Sequence, residues 1–600
     1  MADASAGRFS RMLSYWGRGG LAGLLAALLA VGVSELYAGI FGGLPSLLVS
    51  MSGRIVDLSP RAMEEFAISV FGTSDKLALV IFLVVLSGIF GFILGVVALR
   101  SRPIAVAGFA AFGLLAGFAN GFDAQSTPAH GVAMAAVSAG LAIVALLWFT
   151  RANPVAATAG DQAADLQFQR QRRVFLGSGA VVALAAVVTG VLGRNLIEGA
   201  KVAVASRDDI VLPPARSRAA AAAPAPAATA AAAETPAPTP APAATAAPSA
   251  TQAPLTTPAP VATPAAPEAA SAEATVAATG TPTPIEVEAA TGSLPSETML
   301  DVRGISSLVT PNRDFYRIDT AFSIPRVDVE DWELKITGLV DSPYSLTYRE
   351  LLDLATDEDY VTLCCVSNEV GGRLIGNAKW QGIPLADVLN RAGIQDEATQ
   401  IVGRSVDGFS AGFPREVAFD GRPVLVAVGM NGEPLPFKHG FPARLVVSGL
   451  YGYVSATKWL QEIELTTWEG FDGYWIPRGW SKEGPIKTQS RIDVPKPFSF
   501  DTAPGLQAVA GVAWAQNRGI SKVEVQLDGD GEWKEAKLSS PISKHTWVQW
   551  VSEFEFTPGS HFVRVRATDS DGELQAKGPK SPAPNGAEGW HQVNFRVTDG

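Results

Sequence analysis

The 600-residue chain predicts a multidomain fold of four parts. These are an N-terminal all-α membrane region of five helices (1–202), a disordered Ala/Pro/Thr-rich linker (203–298), an α+β domain (299–496) and a C-terminal immunoglobulin-like β-sandwich (497–600). Three observations carry this. Apolar residues make up 48% of the chain but concentrate in its first third, in runs of about 20 residues, enough to cross a bilayer. An Ala/Pro-rich stretch follows with almost no large apolar residue to bury. The remainder alternates short strand-like runs with Gly/Pro turns. A chain this long also exceeds what one core can serve.

The five spans fall at roughly 20–41, 76–99, 103–122, 130–149 and 174–193. Arg8, Arg11 and Arg18 precede the first, Arg100 and Arg102 follow the second, and Arg151, Arg170, Arg172 and Arg173 precede the fifth. The alternate loops hold only Arg54, Arg61 and Lys76, three cations against nine. The positive-inside rule therefore makes the N-terminus cytoplasmic, and five spans leave everything after residue 194 outside. The 50–70 stretch reads as an outer loop, either carrying an interfacial helix or plain. The spans are read as lacking a mid-span charge that would suggest a proton or ion path, so the region is expected to act as an anchor and assembly platform. Arg172 and Arg173, directly before an apolar run, resemble a twin-arginine export signal.

Residues 203–298 are expected to form a tether. Roughly 70 flexible residues have a root-mean-square span on the order of 45 Å, rising toward ~200 Å if proline holds them extended. From about 299, runs such as "WELKITGLV" and "ARLVVSGL" mix with helical patches such as "LADVLNRAG". From about 497 the alternation is all-β, as in "ISKVEVQLDG" and "HFVRVRATD", over a length that suits a β-sandwich.

Net charge is −11, and no basic tract or stacking motif points to nucleic acid. The two cysteines, Cys364 and Cys365, are adjacent in "YVTLCCVSNEVGG". Neighbours make a strained disulfide at best, and two cysteines with five scattered histidines supply a zinc site poorly. Of those histidines only His130 lies near the spans, so a membrane bis-histidine haem is not predicted. A thiol ending an apolar strand before a Gly-rich turn can face a cleft, and thiolates suit soft metals; it can equally be an inert buried hydrophobe. In "FKHGFPARLVVSGLYGYVSATKWL", His439, Arg444 and Lys458 interrupt an apolar, Gly-rich region. Converging, they would hold a phosphate-like anion; apart, they are surface charges.

At these residues the chain resembles the sulfite oxidase family of molybdopterin-dependent oxidoreductases, in a membrane-anchored bacterial form. "TPNRDFYRIDTAFSIPRVDVEDWELKITGLV", "TLCCVSNEVGG", "WQGIPL", "GMNGEPLPFKHGFPARLVVSGLYGYVSATKW" and "SRIDVP" occur in order. "VAGVAW", "VEVQLDG" and "VRATDSDGELQ" are similar to the family's C-terminal domain, so the likeness covers roughly 300–598. It implies that Cys365 is the catalytic centre's molybdenum ligand. Asn312, Tyr316, Arg317, Ser405, His439, Arg444 and Lys458 would contact the pterin cofactor. Cys364, next along an extended strand, would point the other way.

Departures shape the implied activity. Where sulfite oxidases carry substrate-binding arginines, this chain has Asp319-Thr320-Ala321 and Glu369-Val370, and Trp480 lies near the position of a pocket tyrosine. Asp319, Glu369 and Trp480 are thus the candidate substrate-pocket residues. Losing arginine from a desolvated site disfavours a dianion. The implied function is two-electron oxo transfer on the outer side of the cell membrane, with a substrate other than sulfite. The partners would be a small oxo donor or acceptor, a separate electron-transfer protein, membrane lipid and a second copy bound through the C-terminal domain. The alternatives are a sulfoxide or N-oxide reductase of the same fold, or a metal-free binding or sensing module. Because the cofactor is assembled in the cytoplasm, an outer location would require export of folded, loaded protein, which Arg172-Arg173 could direct.

Overall fold

A computed structural model describes residues 2–42, 44–59, 63, 70, 75–151, 162–198, 207, 209–217, 294–499, 502–529 and 531–598. Its first part is helical: α1 (Ala2–Phe41), α2 (Leu47–Leu58), α3 (Asp75–Ala98), α4 (Arg102–Gly121), α5 (Pro128–Thr150) and α6 (Gln162–Glu198). Five of these are long and apolar enough to cross a membrane, over Trp16–Phe41, Lys76–Ala98, Arg102–Gly121, Pro128–Thr150 and Arg173–Ile197. Small residues let the helices approach closely. A Cβ on Gly23 would lie 2.0 Å from the Gly91 carbonyl oxygen, and one on Gly95 2.0 Å from that of Gly19. Backbone-to-backbone contact of this kind drives helix association where lipid offers no hydrophobic gain.

Helix α2 takes the place of the expected interfacial helix, capped by the Ser46 side chain, which accepts from the Val49 amide; most of 60–74 lies outside the described residues. A charged residue does lie within a span, away from its middle. Glu35, in the C-terminal half of α1, is buried. Its Oε1 accepts from Ser46 Oγ at 2.6 Å, and its Oε2 faces Arg194 of α6 at 3.5 Å without a hydrogen bond. The pair sits toward one end of the bundle, where a carboxylate costs less than at mid-membrane.

The linker also begins later than the composition suggests. Arg216–Ser217 forms a short parallel strand beside Asp357 and Glu358. Ile210 and Leu212 pack on the core of the following domain, and Arg207 donates to the carbonyls of Leu435 (3.0 Å) and Pro434 (2.8 Å). Residues 207–217 are therefore docked. Of the stretch expected to act as tether, 218–293 lies outside the described residues. Arg207→Ala should release this segment, costing about 1–3 kcal/mol for charge-assisted bonds. The expected readout is faster hydrogen exchange at the Arg216 amide, which donates to Thr356 at 2.7 Å.

The middle domain is built on two sheets. In the first, Arg216–Ser217, Asp357–Cys364, Ile375–Pro384, Val424–Met430 and Arg444–Val447 lie side by side. In the second the order is Tyr344–Thr347, Glu333–Gly338, Leu460–Thr466, Gln400–Ser405 and Ser410–Pro414. The first sheet's longer strands are buried on both faces, as a sheet covered on both sides requires, whereas Glu333–Gly338 and Leu460–Thr466 of the second alternate buried and more exposed positions; the two sheets share one core around Trp380, Leu389, Phe441 and Leu445.

The C-terminal part has two four-stranded antiparallel sheets joined by a common core of Val509, Val525, Trp550, Val565 and Phe595. Its first strand is Gln489–Val494, paired with Gly505–Trp514, so this unit begins before residue 497. It is fused to the middle domain. Trp514 and Trp547 belong to the middle domain's core, Trp547 donates to the Leu308 carbonyl (2.8 Å) and Arg491 to that of Gly372 (2.9 Å).

Candidate functional site

A cavity of about 1160 Å³, counting its open mouth, lies among the ends of these strands. Strand Asp357–Cys364 delivers Cys365 to it. Cys364 still pairs with Ile375 and turns into the core; Cys365, one residue on, lines the cavity. The alternation of a strand separates the two thiols. Burial pushes the Cys365 thiol up, against hydrogen bonds from Ser367 that favour the thiolate. As a free thiol it stays protonated at neutral pH, and a bound cation is what would stabilise the thiolate.

His439, Arg444 and Lys458 all line the same cavity. Gly440 brings the last two together. It has φ +112°, and a Cβ there would lie 3.1 Å from the Cβ atoms of both Arg444 and Lys458, a position only glycine fills without strain. Arg444 is 5% exposed. It donates to the carbonyls of His439 (3.1 Å) and Leu445 (3.3 Å) and stacks over Trp380 at 4.9 Å. Among the described residues no carboxylate pairs with it. Burial lowers its pKa to about 10, so it remains a cation at neutral pH.

His439 is not a third cation. Burial, with Arg444, Lys438 and Lys458 nearby, lowers its pKa to about 3. Its Nε2 donates to the Asn312 carbonyl at 2.9 Å, which leaves Nδ1 an acceptor. Lys458 is lowered to about 8 by burial, with the Asp319 carboxylate opposing the shift. Asp319 lies 2.6 Å from Lys458 Nζ and 2.7 Å from Arg317 Nε. Burial alone would raise its carboxyl, but Lys458, Arg317 and Lys76 outweigh that and hold it well below the usual range.

The remaining candidates divide. Tyr316 and Ser405 line the cavity, as do Asp319 and Trp480. Asn312 does not; its side chain bridges Asn431 (2.8 Å) and the Met430 carbonyl (3.1 Å), and its own carbonyl fixes His439. Arg317 is exposed, bound to Asp319. Glu369 is exposed and outside the cavity wall, so it is corrected as a pocket residue. It lies in the turn that Gly372 closes onto its carbonyl, directed away by that turn. Arg172 has no described side chain, and Arg173 is exposed on α6.

Sequence reasoning missed several wall residues: Ser367, Asp407, Phe409, Tyr453, Trp475 and, from the C-terminal unit, Ala583. Tyr453 stands in the quoted "GLYGYVSATKW", so its signal was available. Asp407 has none beyond a turn motif; burial raises its carboxyl, and it accepts from the Phe409 amide at 3.1 Å.

Residues 321–475 match the family described as oxidoreductase molybdopterin binding domain. Mitochondrial sulfite oxidase of Homo sapiens is 27% identical over 349 residues, 48% of this chain and 62% of that protein. Sulfite oxidase of Arabidopsis thaliana is 28% identical over 357 residues, 49% of this chain and 89% of that protein. Residues 321–475 form a molybdopterin-binding oxidoreductase domain of the sulfite oxidase type. Inducible nitrate reductase [NADH] 2 of Glycine max is 27% identical to this molybdopterin oxidoreductase over 308 residues, 41% of the chain and 34% of that protein. The chain spans 55–62% of the length of the mitochondrial relatives it matches. The sulfane dehydrogenase SoxCD structure from Paracoccus pantotrophus superposes with a TM-score of 0.43 at 22% identity, over 49% of this chain and 84% of that one.

The residues present fit a molybdopterin. A buried guanidinium without a carboxylate partner suits the cofactor's phosphate, and one cavity-facing thiol suits a soft metal.

Proposed function

We propose that this molybdopterin oxidoreductase is membrane-anchored and catalyses two-electron oxo transfer on the outer side of the membrane, on a small neutral substrate rather than sulfite. One observation carries the substrate reading. Among the described residues Arg444 is the only arginine in the cavity wall, and Asp319 neutralises Lys458. With those two cations assigned to the cofactor's phosphate, the rest of the wall holds no further cation among the described residues: Asp407, Thr320, Ser367, Ser405 and Tyr453 join the apolar Ile318, Phe409, Trp475 and Trp480, and this offers a dianion no charged replacement for its hydration. A sulfoxide or N-oxide, polar at one atom and apolar elsewhere, suits such a wall in either direction of transfer.

When bound, the molybdenum centre supplies the two-electron oxo chemistry. Within this reading Cys365 holds the metal, Arg444 and Lys458 hold the phosphate, and Gly440 lets those two cations converge. Neutral His439, tied to Asn312, keeps an acceptor nitrogen in the wall. Tyr316 stacks on Phe315 (centroids 5.2 Å), and burial pushes its phenol up, so it is a proton-bearing group beside the thiol. Electrons would pass to or from a separate partner, the C-terminal unit would be an immunoglobulin-type sandwich that joins two copies, and Arg172-Arg173 would direct export. The outer-side topology is supported by the contacts of Asp57, Lys76 and Ala124 with the catalytic half, since all three belong to loops assigned outside by the charge count.

The test is metal and pterin analysis of the purified full chain, followed by a substrate panel with artificial donors and acceptors. Neutral S- and N-oxides or their reduced partners should be turned over with kcat/KM at least ~10²-fold above sulfite. Sulfite as the best substrate would sink the substrate reading. Absence of molybdenum after expression in a cofactor-competent host would leave the metal-free binding module in its place.

A further inference from the structure

Among the described residues, contacts from Asp57, Lys76 and Ala124 join the helical bundle to the catalytic half, and all three lie at the same end of the bundle. Asp57, near the C-terminus of α2, accepts from Tyr474 Oη (3.0 Å) and from Arg478 (3.1 Å). Lys76, at the start of α3, donates to the carbonyls of Asp319 (2.5 Å) and Ala321 (2.8 Å). Its ammonium also faces the Asp319 carboxylate at 3.5 Å and the Phe322 ring at 5.5 Å. Ala124, between α4 and α5, lies where a Cβ on Gly408 would be only 3.1 Å away. Beyond α6, Glu198 and Arg207 are nine positions apart, and Arg207 is already fixed on Leu435 and Pro434. Nine residues reach about 30 Å at most. The Ala/Pro-rich run comes after this anchor, so it does not set the distance between the bundle and the cavity.

Two of these contacts fall on the cavity wall itself. Ile318, Asp319 and Thr320 line it, and Lys76 grips the backbone on both sides of Thr320. Tyr474 and Arg478 flank Trp475, another wall residue, and Arg478 stacks on the Tyr474 ring at 3.7 Å. The segment 315–322 has no regular secondary structure beyond turns and bends, so it lacks a ladder of its own to hold its shape. Lys76 supplies two of its backbone partners from 243 and 245 positions away.

We propose that this end of the bundle braces the wall of the oxidoreductase site, with Lys76 a positioning residue for the 318–321 segment. The inference rests on the oxo-transfer reading for its kinetic consequence and on geometry alone for the dock. It makes the membrane region part of the enzyme rather than a tethered anchor.

The experiment uses the full chain in detergent or nanodiscs, as Lys76→Ala, Lys76→Arg and Asp57→Ala. Lys76→Ala should speed hydrogen exchange across 318–322 by roughly tenfold or more as local opening becomes easier. Lys76→Arg, which keeps the charge and the donors, should stay close to the unmodified chain. Asp57→Ala should speed exchange at 474–478 instead. With the substrate identified by the panel, Lys76→Ala should raise KM about 3–10-fold and leave kcat within about twofold, the pattern of lost positioning. Unchanged exchange in Lys76→Ala overturns the dock. Altered exchange with unchanged KM overturns the positioning role. A chain without molybdenum fails the oxo-transfer reading and the positioning role with it, while the exchange result still decides the dock.

Discussion

Cys365→Ser should abolish oxo transfer while leaving the fold and the bound pterin largely intact. Changing a group that merely orients a metal ligand typically costs 10–100-fold. Losing the thiolate ligand itself should cost more, on the order of 10³-fold in kcat, or roughly 4 kcal/mol of transition-state stabilisation. Serine is close to isosteric, and Cys365 sits at a cavity wall rather than in the shared core, so stability should change by less than ~1.5 kcal/mol. The control is Cys364→Ser. That thiol is packed in the core, where it donates to the Cys365 carbonyl at 3.5 Å and has the Asn368 side chain beside it. A hydroxyl there is a buried polar group in an apolar setting and should cost about 1–3 kcal/mol of stability without the loss of turnover. Steady-state kinetics, metal content and denaturant titration on the two variants separate the roles. Equal turnover in Cys365→Ser and the unmodified chain would remove the thiol from the chemistry.

The contrast between the two cysteines was legible because strand alternation is a local rule. A run ending "TLCC" before a turn forces neighbours onto opposite faces. Convergence was less legible. That His439, Arg444 and Lys458 share one cavity depends on Gly440 and on strands from two sheets, and periodicity carries no such information; the family resemblance supplied it. That His439 is neutral is not legible, because a histidine in sequence shows neither its burial nor the three cations Arg444, Lys438 and Lys458 around it. Glu369 failed for a similar reason. Its position in the chain, four residues past Cys365, is close, but the turn closed by Gly372 directs it to solvent. That residues 207–217 dock is signalled only by the apolar triplet Ile210, Val211 and Leu212, which the Ala/Pro-rich run that follows dilutes. The Lys76 contacts had no local signal at all.

Arg444→Met should act in opposite directions on the empty and the loaded protein. In the empty chain Arg444 is a buried cation whose partners are two carbonyls and the face of Trp380. Such a charge contributes little and can destabilise, so a flexible apolar side chain of similar length should leave the Tm equal or higher. In the loaded chain the same change removes the cation facing the cofactor's phosphate. Truncating one member of a buried, hydrogen-bonded charge pair costs about 2–5 kcal/mol, enough to weaken cofactor retention by roughly 30- to 4000-fold at 1.4 kcal/mol per decade. The stabilisation that a ligand confers scales with its affinity, so the Tm gap between loaded and empty protein should shrink sharply. Lys458→Met should show a weaker version of the same pattern, because Asp319 would be left with Arg317 and Lys76 as its remaining cations. Protein from cofactor-deficient and cofactor-competent hosts, compared by calorimetry and pterin content, reads both arms. An equal loss of Tm in the two states would make Arg444 a structural member of the Trp380 stack. An unchanged pterin content would remove it from phosphate binding. The crossed result is the one that a site built to hold an anion, and partly frustrated without it, requires.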